Sequence, residues 1–140
     1  MKNPLFKFAV VGCAIASLAL RAVAFDSVLI ANRDVSTDSV SLETLKGIYT
    51  AKTAYWPDGQ AIVIGVVSDK TDAALKGVSG MDPNQFKTFW QRLAFSGRGK
   101  QPQKADDVTA LVALIASTKG AIALVPAGTE LKGVKQLELK

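Results

Sequence analysis

Histidine is missing from this chain of 140 residues, and cysteine occurs once, at position 13. Without histidine, imidazole acid/base catalysis and the usual zinc ligand sets are excluded. Glutamate is scarce as well: Glu43, Glu130 and Glu138 are scattered among turns and ends, so no carboxylate cluster points to catalysis or to a metal. One cysteine cannot build a disulfide or thiolate framework. The chain is therefore read as a non-enzyme with no cofactor and no metal.

The first residues have the layout of a secretory signal. Lys2 and Lys7 precede an apolar stretch from Phe8 to Leu20, and Ala22-Val23-Ala24 offers a small-residue cleavage site. That apolar stretch is shorter than the roughly 20 residues a spanning helix needs. Cleavage is expected after Ala24, leaving residues 25–140 as one domain in the periplasm. Val10-Val11-Gly12-Cys13 loosely resembles a lipoprotein box, with Cys13 as the lipidated residue. Processing there would leave too short an apolar core, interrupted by Lys7, so it is the less favoured reading.

Charge is low once the leader is set aside. The whole chain carries +5, but without Lys2, Lys7 and Arg21 only 14 basic residues stand against 12 acidic ones, a net +2. Nucleic-acid binding would need a clustered basic face with stacking aromatics, and it is not expected.

From Ser27 onward, strand-like and helix-like patterns alternate. Ser27–Ala31 and Ala61–Val67 read as buried strands rich in β-branched residues. Between them Leu42, Leu45, Ile48 and Tyr49 share a helical face, with Ser41 as N-cap and Val40 and Leu45 as a hydrophobic staple. A short helix-like segment follows the polar cluster Ser68-Asp69-Lys70-Thr71 and is expected to close on Gly77. The best-marked helix starts at Asp82, with Pro83 at its first position, Gln85 completing a capping box, and Met81 and Phe86 spaced as a staple. Its stripe of Phe86, Phe89, Trp90 and Leu93 is read as core.

Another helix runs from Asp106 or Asp107 through Val108, Leu111, Val112, Leu114 and Ile115 to a cap at Lys119-Gly120. Its two aspartates serve capping and the helix dipole rather than chemistry. Strands at Ala121–Val125 and Val134–Leu139 close the pattern around a Pro126–Thr129 turn. The order β-α-β-α-α-α-β-β predicts an α/β domain with a mainly parallel sheet flanked by helices.

Read in order, "SLETLKGIYTAKTAYWPDGQAIVIGV", a strand-to-helix turn, "FWQRLAFSGRG" and "VALIASTKGAIALVPAG" resemble the second lobe of the phosphate-type periplasmic substrate-binding proteins of ABC transporters. The pieces that carry the likeness are Leu45 to Lys52, Trp56, Val63 to Val67, and Gly120 to Val125, and it spans roughly Ser27 to Leu137. It implies a single lobe of a type 2 periplasmic binding protein. It also implies a small anion such as phosphate as ligand and a membrane permease as transport partner. In that family an anion is held between two lobes by helix-start N–H groups, hydroxyls and an arginine, chemistry that suits a helix N-terminus.

Mapped onto this chain, the ligand turn falls on Ser68, Lys70 and Thr71, with Val67 where the family's arginine stands and Lys70 where its first glycine stands. Asp69 and Asp72 add negative charge there. Arg98, in the loop Ser96-Gly97-Arg98-Gly99-Lys100, is the strongest alternative charge for an oxyanion. The family's receptors are more than twice as long, so the opposing wall is expected from a second chain, such as a homodimer partner. The alternative is an accessory or sensor domain that docks an envelope protein through Tyr55 and Trp56. The bland reading of those aromatics is turn chemistry in Trp56-Pro57-Asp58-Gly59.

Overall fold

The computed structural model describes residues 27–67 and 71–140. The leader, with its cleavage and lipidation readings, lies outside the described residues, as do Ser68, Asp69 and Lys70. Ten elements follow one another: β1 (Ser27–Asn32), β2 (Ser39–Val40), α1 (Leu42–Tyr49), β3 (Val63–Val67), α2 (Asp72–Ser79), α3 (Pro83–Phe95), β4 (Gln103–Ala105), α4 (Val108–Ser117), β5 (Ala121–Pro126) and β6 (Val134–Leu139). The strands form one sheet in the order β2-β6-β1-β5-β3-β4.

Pairing is parallel for β2 with β6, β3 with β5 and β3 with β4, and antiparallel where β1 meets β5 and β6. Five strands therefore run one way and central β1 runs the other. The sheet is mainly parallel, as expected, with one reversed strand at its heart. Strand β5 is buried on both faces, which is why Ala-Ile-Ala-Leu-Val reads as a continuous apolar run without alternation.

Helices cover both faces. Leu29, Ile64, Ile122, Leu124 and Leu137 pack on one side with Leu45, Ile48, Val78, Phe86 and Trp90 from α1, α2 and α3. Ile30, Val67, Ala123 and Val125 pack on the other with Leu111, Val112 and Ile115 of α4. A Cβ placed on Gly65 would stand 2.8 Å from Leu111 Cδ1 and 2.9 Å from Ile115 Cδ1, so this bare strand position lets α4 seat closely.

Local chemistry explains the helix ends. Asp82 and Gln85 form the expected capping box, with Pro83 at the first helical position. Helix α2 does not stop at Gly77. It continues to bury Val78 and ends at Gly80, whose φ of 75° supplies the left-handed cap. Helix α4 stops at Ser117, short of Lys119, because buried Asn32 donates its amide to the carbonyls of Ile115 at 3.0 Å and Ala116 at 3.1 Å. The short strands β2 and β4 were not expected from the sequence.

Candidate functional site

Because β2, β3 and β4 share a direction, the helices that follow them, α1, α2 and α4, all begin at the carboxyl edge of the sheet. Each start presents N–H donors without intrahelical partners and a partial positive charge. Three of the four helices close that end with a side chain. Ser41 Oγ accepts from the Thr44 amide at 3.0 Å, Asp107 from Ala110 at 2.7 Å and Asp82 from Gln85 at 2.8 Å. In α2 the N-cap residue is Thr71, and its side chain makes no cap hydrogen bond.

A groove of about 420 Å³ opens beside that start. Val66 and Val67 at the end of β3, Asp72 of α2, Lys87 of α3, and Pro102 and Lys104 on the β4 side contribute to its walls. Val66 pairs with Lys104 across the parallel β3–β4 ladder, so the two side chains share one face of the sheet. Two exposed cations, Lys87 and Lys104, thus line the groove with one carboxylate among the described residues, Asp72. Neither lysine is in an ion pair with a described residue.

The expected site residues do not all meet here. Ser68 and Lys70 lie outside the described residues, and Thr71 is buried at the α2 start. Arg98 is elsewhere: exposed, it lines a groove with Ala61, Ile62 and Val63 at the amino end of β3. A strand of five residues spans roughly 13 Å, so Thr71 and Arg98 sit off opposite ends of β3. The glycines around Arg98 serve the fold. Gly97 has φ 75°, and the Arg98 amide donates to Leu93 O at 2.8 Å, the closure of a Schellman cap. A Cβ on Gly99 would stand 3.3 Å from the Trp90 ring. Lys104 was missed because β4 was missed, and with it the groove to which Lys87 of α3 belongs; only the β4 register sets Lys104 next to Val66.

Of the two aromatics weighed as docking anchors, Trp56 is not available. It is 3% exposed, and its indole nitrogen donates to Gly120 O at 3.0 Å. Tyr55 remains 64% exposed. Tyr49 is buried, its hydroxyl finds no hydrogen-bond partner among the described residues, and burial pushes its pKa well up. Among the described residues there is no group of three or more potential metal-ligating side chains, and no helix is long and apolar enough to cross a membrane.

No protein-family profile matches this sequence, and neither does any curated protein. Solved structures do match the fold. A candidate phosphate ABC transporter substrate-binding protein from Clostridium perfringens, crystallised with bound phosphate, superposes with a TM-score of 0.63 at 18% identity, over 81% of this chain and 44% of its own. An ABC-type phosphate transport receptor from Vibrio cholerae gives 0.55 at 16% identity, over 81% and 45%. A candidate phosphate-binding protein from Planctomyces limnophilus gives 0.52 at 13%, over 81% and 41%. The chain has the α/β fold of one lobe of these proteins and spans less than half the length of each.

Proposed function

We propose that this chain is a binding module for a small oxyanion, phosphate first, held at the start of α2 on the carboxyl edge of the sheet. The observation that carries the reading is the start of α2, where the Thr71 side chain makes no cap hydrogen bond and the helix opens beside Lys87 and Lys104. It is set in a fold shared with a protein crystallised with phosphate. In this reading the first-turn amides of α2 and the hydroxyls of Ser68 and Thr71 donate to the anion oxygens. Lys70 and Lys104 supply compact positive charge. Asp72 opposes a second negative charge, which favours the less charged form of the anion. Arg98, at the other end of β3, stays outside this site.

The remaining parts of the reading go together. Residues 1–24 act as a signal that delivers the domain to the periplasm. The module binds rather than turns over its ligand, and a membrane permease of ABC type receives it. A single open lobe leaves charge-assisted contacts screened by water, so a second wall, from a further chain or a second copy, closes over the anion.

Calorimetry with phosphate and sulfate at low salt tests the core of the proposal. Heat of binding and a thermal shift are expected, both weakened in Thr71→Ala and Lys104→Gln. A flat titration and an unmoved melting temperature at millimolar anion would remove it.

A further inference from the structure

From Pro83 to Ala105 the chain carries five cations, Lys87, Arg92, Arg98, Lys100 and Lys104, and not one acidic residue. The ion pairs among the described residues, Lys132 with Glu130 and Lys135 with Asp38, involve none of them. Two of the five, Arg98 and Lys100, stand on the rim of a groove of about 350 Å³ at the amino end of β3. Its floor is apolar, with Ile48, Ile62, Ile64 and the Trp90 ring among its lining, and among the described residues no carboxylate lines it. Small-molecule sites occupy about 300–1,000 Å³ and combine an apolar lining with a few placed polar groups. This groove fits that description at its small end.

The loop that carries the two cations is fixed. Ser96, Gly97 and Arg98 amides return to the carbonyls of Arg92, Ala94 and Leu93 at 3.1, 3.1 and 2.8 Å. Gly99 lies against Trp90, where a side chain would crowd the ring at 3.3 Å. Arg98 and Lys100 are thus carried by backbone that closes α3 and rests on the floor, so little backbone freedom is lost when a ligand arrives.

We infer that this groove binds a small monoanion with an apolar body, a carboxylate or sulfonate on an aliphatic or aromatic group, with the body on the Ile62–Trp90 floor and the head on Arg98 and Lys100. Exposed cations alone hold an inorganic anion weakly, because water and salt screen them. Apolar contact over the floor adds to them by removing the body's surface from water, so that neither the head nor the body alone suffices. Arg98 offers the head group a planar bidentate fork, and Lys100 a second point charge. The site lies at the opposite end of β3 from Thr71 and stands independently of the phosphate reading.

Octanoate, titrated into the full chain by calorimetry and as a competitor of 1-anilinonaphthalene-8-sulfonate fluorescence, is the test. Octanoate is expected to bind and to displace the dye, while octanol and inorganic phosphate do not displace it. Arg98→Gln with Lys100→Gln lowers octanoate affinity about tenfold or more, the loss of charge-assisted contacts. Ala54→Leu, at an exposed position lining the groove, fills the floor and lowers it also. Lys104→Gln, in the other groove, leaves it unchanged. The substituted positions are all exposed, so far-UV circular dichroism should match the parent. Absence of octanoate binding, equal binding of octanol, displacement by phosphate, or an unchanged affinity in the double variant would each overturn the inference. Phosphate binding at Thr71 is read separately, so either site can fail without the other.

Discussion

The indole nitrogen of Trp56 donates to the carbonyl oxygen of Gly120 across 3.0 Å, joining residues 64 positions apart in a buried contact. The same oxygen accepts from the Val63 amide at 3.1 Å, where β3 begins beside β5. One carbonyl therefore ties the turn after α1 to the start of the central parallel pair. The backbone that brings it there needs glycine: φ is 78°, and a Cβ would run into the Ala61 carbonyl oxygen.

Gly120→Ala should therefore be among the most damaging single changes in the chain. Left-handed backbone disfavours any side chain, and here the added carbon meets backbone that cannot rotate away. A loss of about 3 kcal/mol or more is expected by urea denaturation, because strain and clash act together. Trp56→Phe keeps most of the packing and leaves Gly120 its bond from Val63, so it should cost only about 1–2 kcal/mol. Equal losses in the two variants would contradict this ranking.

Tyr49 offers the opposite case. Its ring packs 6.1 Å from Phe86, but its buried hydroxyl has no partner among the described residues. Removing an unsatisfied polar atom while keeping the ring should be neutral or stabilising, by up to about 1 kcal/mol for Tyr49→Phe. Burial raises the folded pKa of this phenol above the ordinary tyrosine value of about 10. The contribution is fully present below the unfolded value and is lost as pH rises past it toward the folded one, since only the unfolded chain releases the proton. Tyr49→Phe should flatten the fall in stability above about pH 10 in denaturation series run at rising pH. A parent-like alkaline slope in the variant would show that Tyr49 is not its source.

How much of this was legible depends on the range of each signal. The start of α3 was readable because Met81, Asp82, Pro83, Gln85 and Phe86 lie within six positions and all act on one helix end. Strands β2 and β4 have two and three residues, and they exist only by pairing with β6 and β3. Nothing in Gln103-Lys104-Ala105 announces a strand, so the position of Lys104 could not be read. The reversal of β1 is likewise set by its partners rather than by its own apolar run. The Trp56 turn was visible from Pro57-Asp58-Gly59, yet its burial depends on Gly120, far along the chain. For the site, the strand-to-helix turn at Thr71 was readable, while the separation of Arg98 from it follows from the Schellman closure of α3.

The charges of the α2 groove should reveal themselves through salt. Lys87 and Lys104 are exposed, so attraction for an anion there is screened over a Debye length of about 8–10 Å at ordinary ionic strength. Lys104→Gln is expected to weaken phosphate binding several-fold at low salt, and the gap to the parent should narrow as salt rises. Folding stability should move by less than about 0.5 kcal/mol, as for other exposed changes. Asp72→Asn removes the opposing carboxylate and should strengthen binding of the dianion more than that of the monoanion, visible as a shift in the pH dependence of affinity. Parent-like phosphate affinity in both variants, at low salt, would place any anion away from this groove.

Asn32 carries a prediction in which a single atom changes role. Its amide nitrogen donates to Ile115 O and Ala116 O at the end of α4, while its Oδ1 accepts from the Asp34 amide at 2.9 Å. Asn32→Asp keeps the shape and the bond from Asp34 but turns an oxygen toward two carbonyl oxygens. At neutral pH that leaves α4 without its cap and places a charge at a buried position facing two carbonyl oxygens, a loss of roughly 3 kcal/mol or more. Asn32→Ala, uncharged, should lose about 2 kcal/mol by leaving the carbonyls unpaired. Repulsion from the carbonyls raises the folded pKa of the new carboxyl above the unfolded value of about 3.9. Stability of the aspartate variant, relative to the parent, is then fullest below the unfolded value, where the protonated carboxyl can donate to one carbonyl, and it falls as pH rises through the folded value. Asn32→Ala should show no such pH dependence relative to the parent. If the two variants instead track each other across that window, the α4 end must have found other donors, and Asn32 would not be what stops the helix at Ser117.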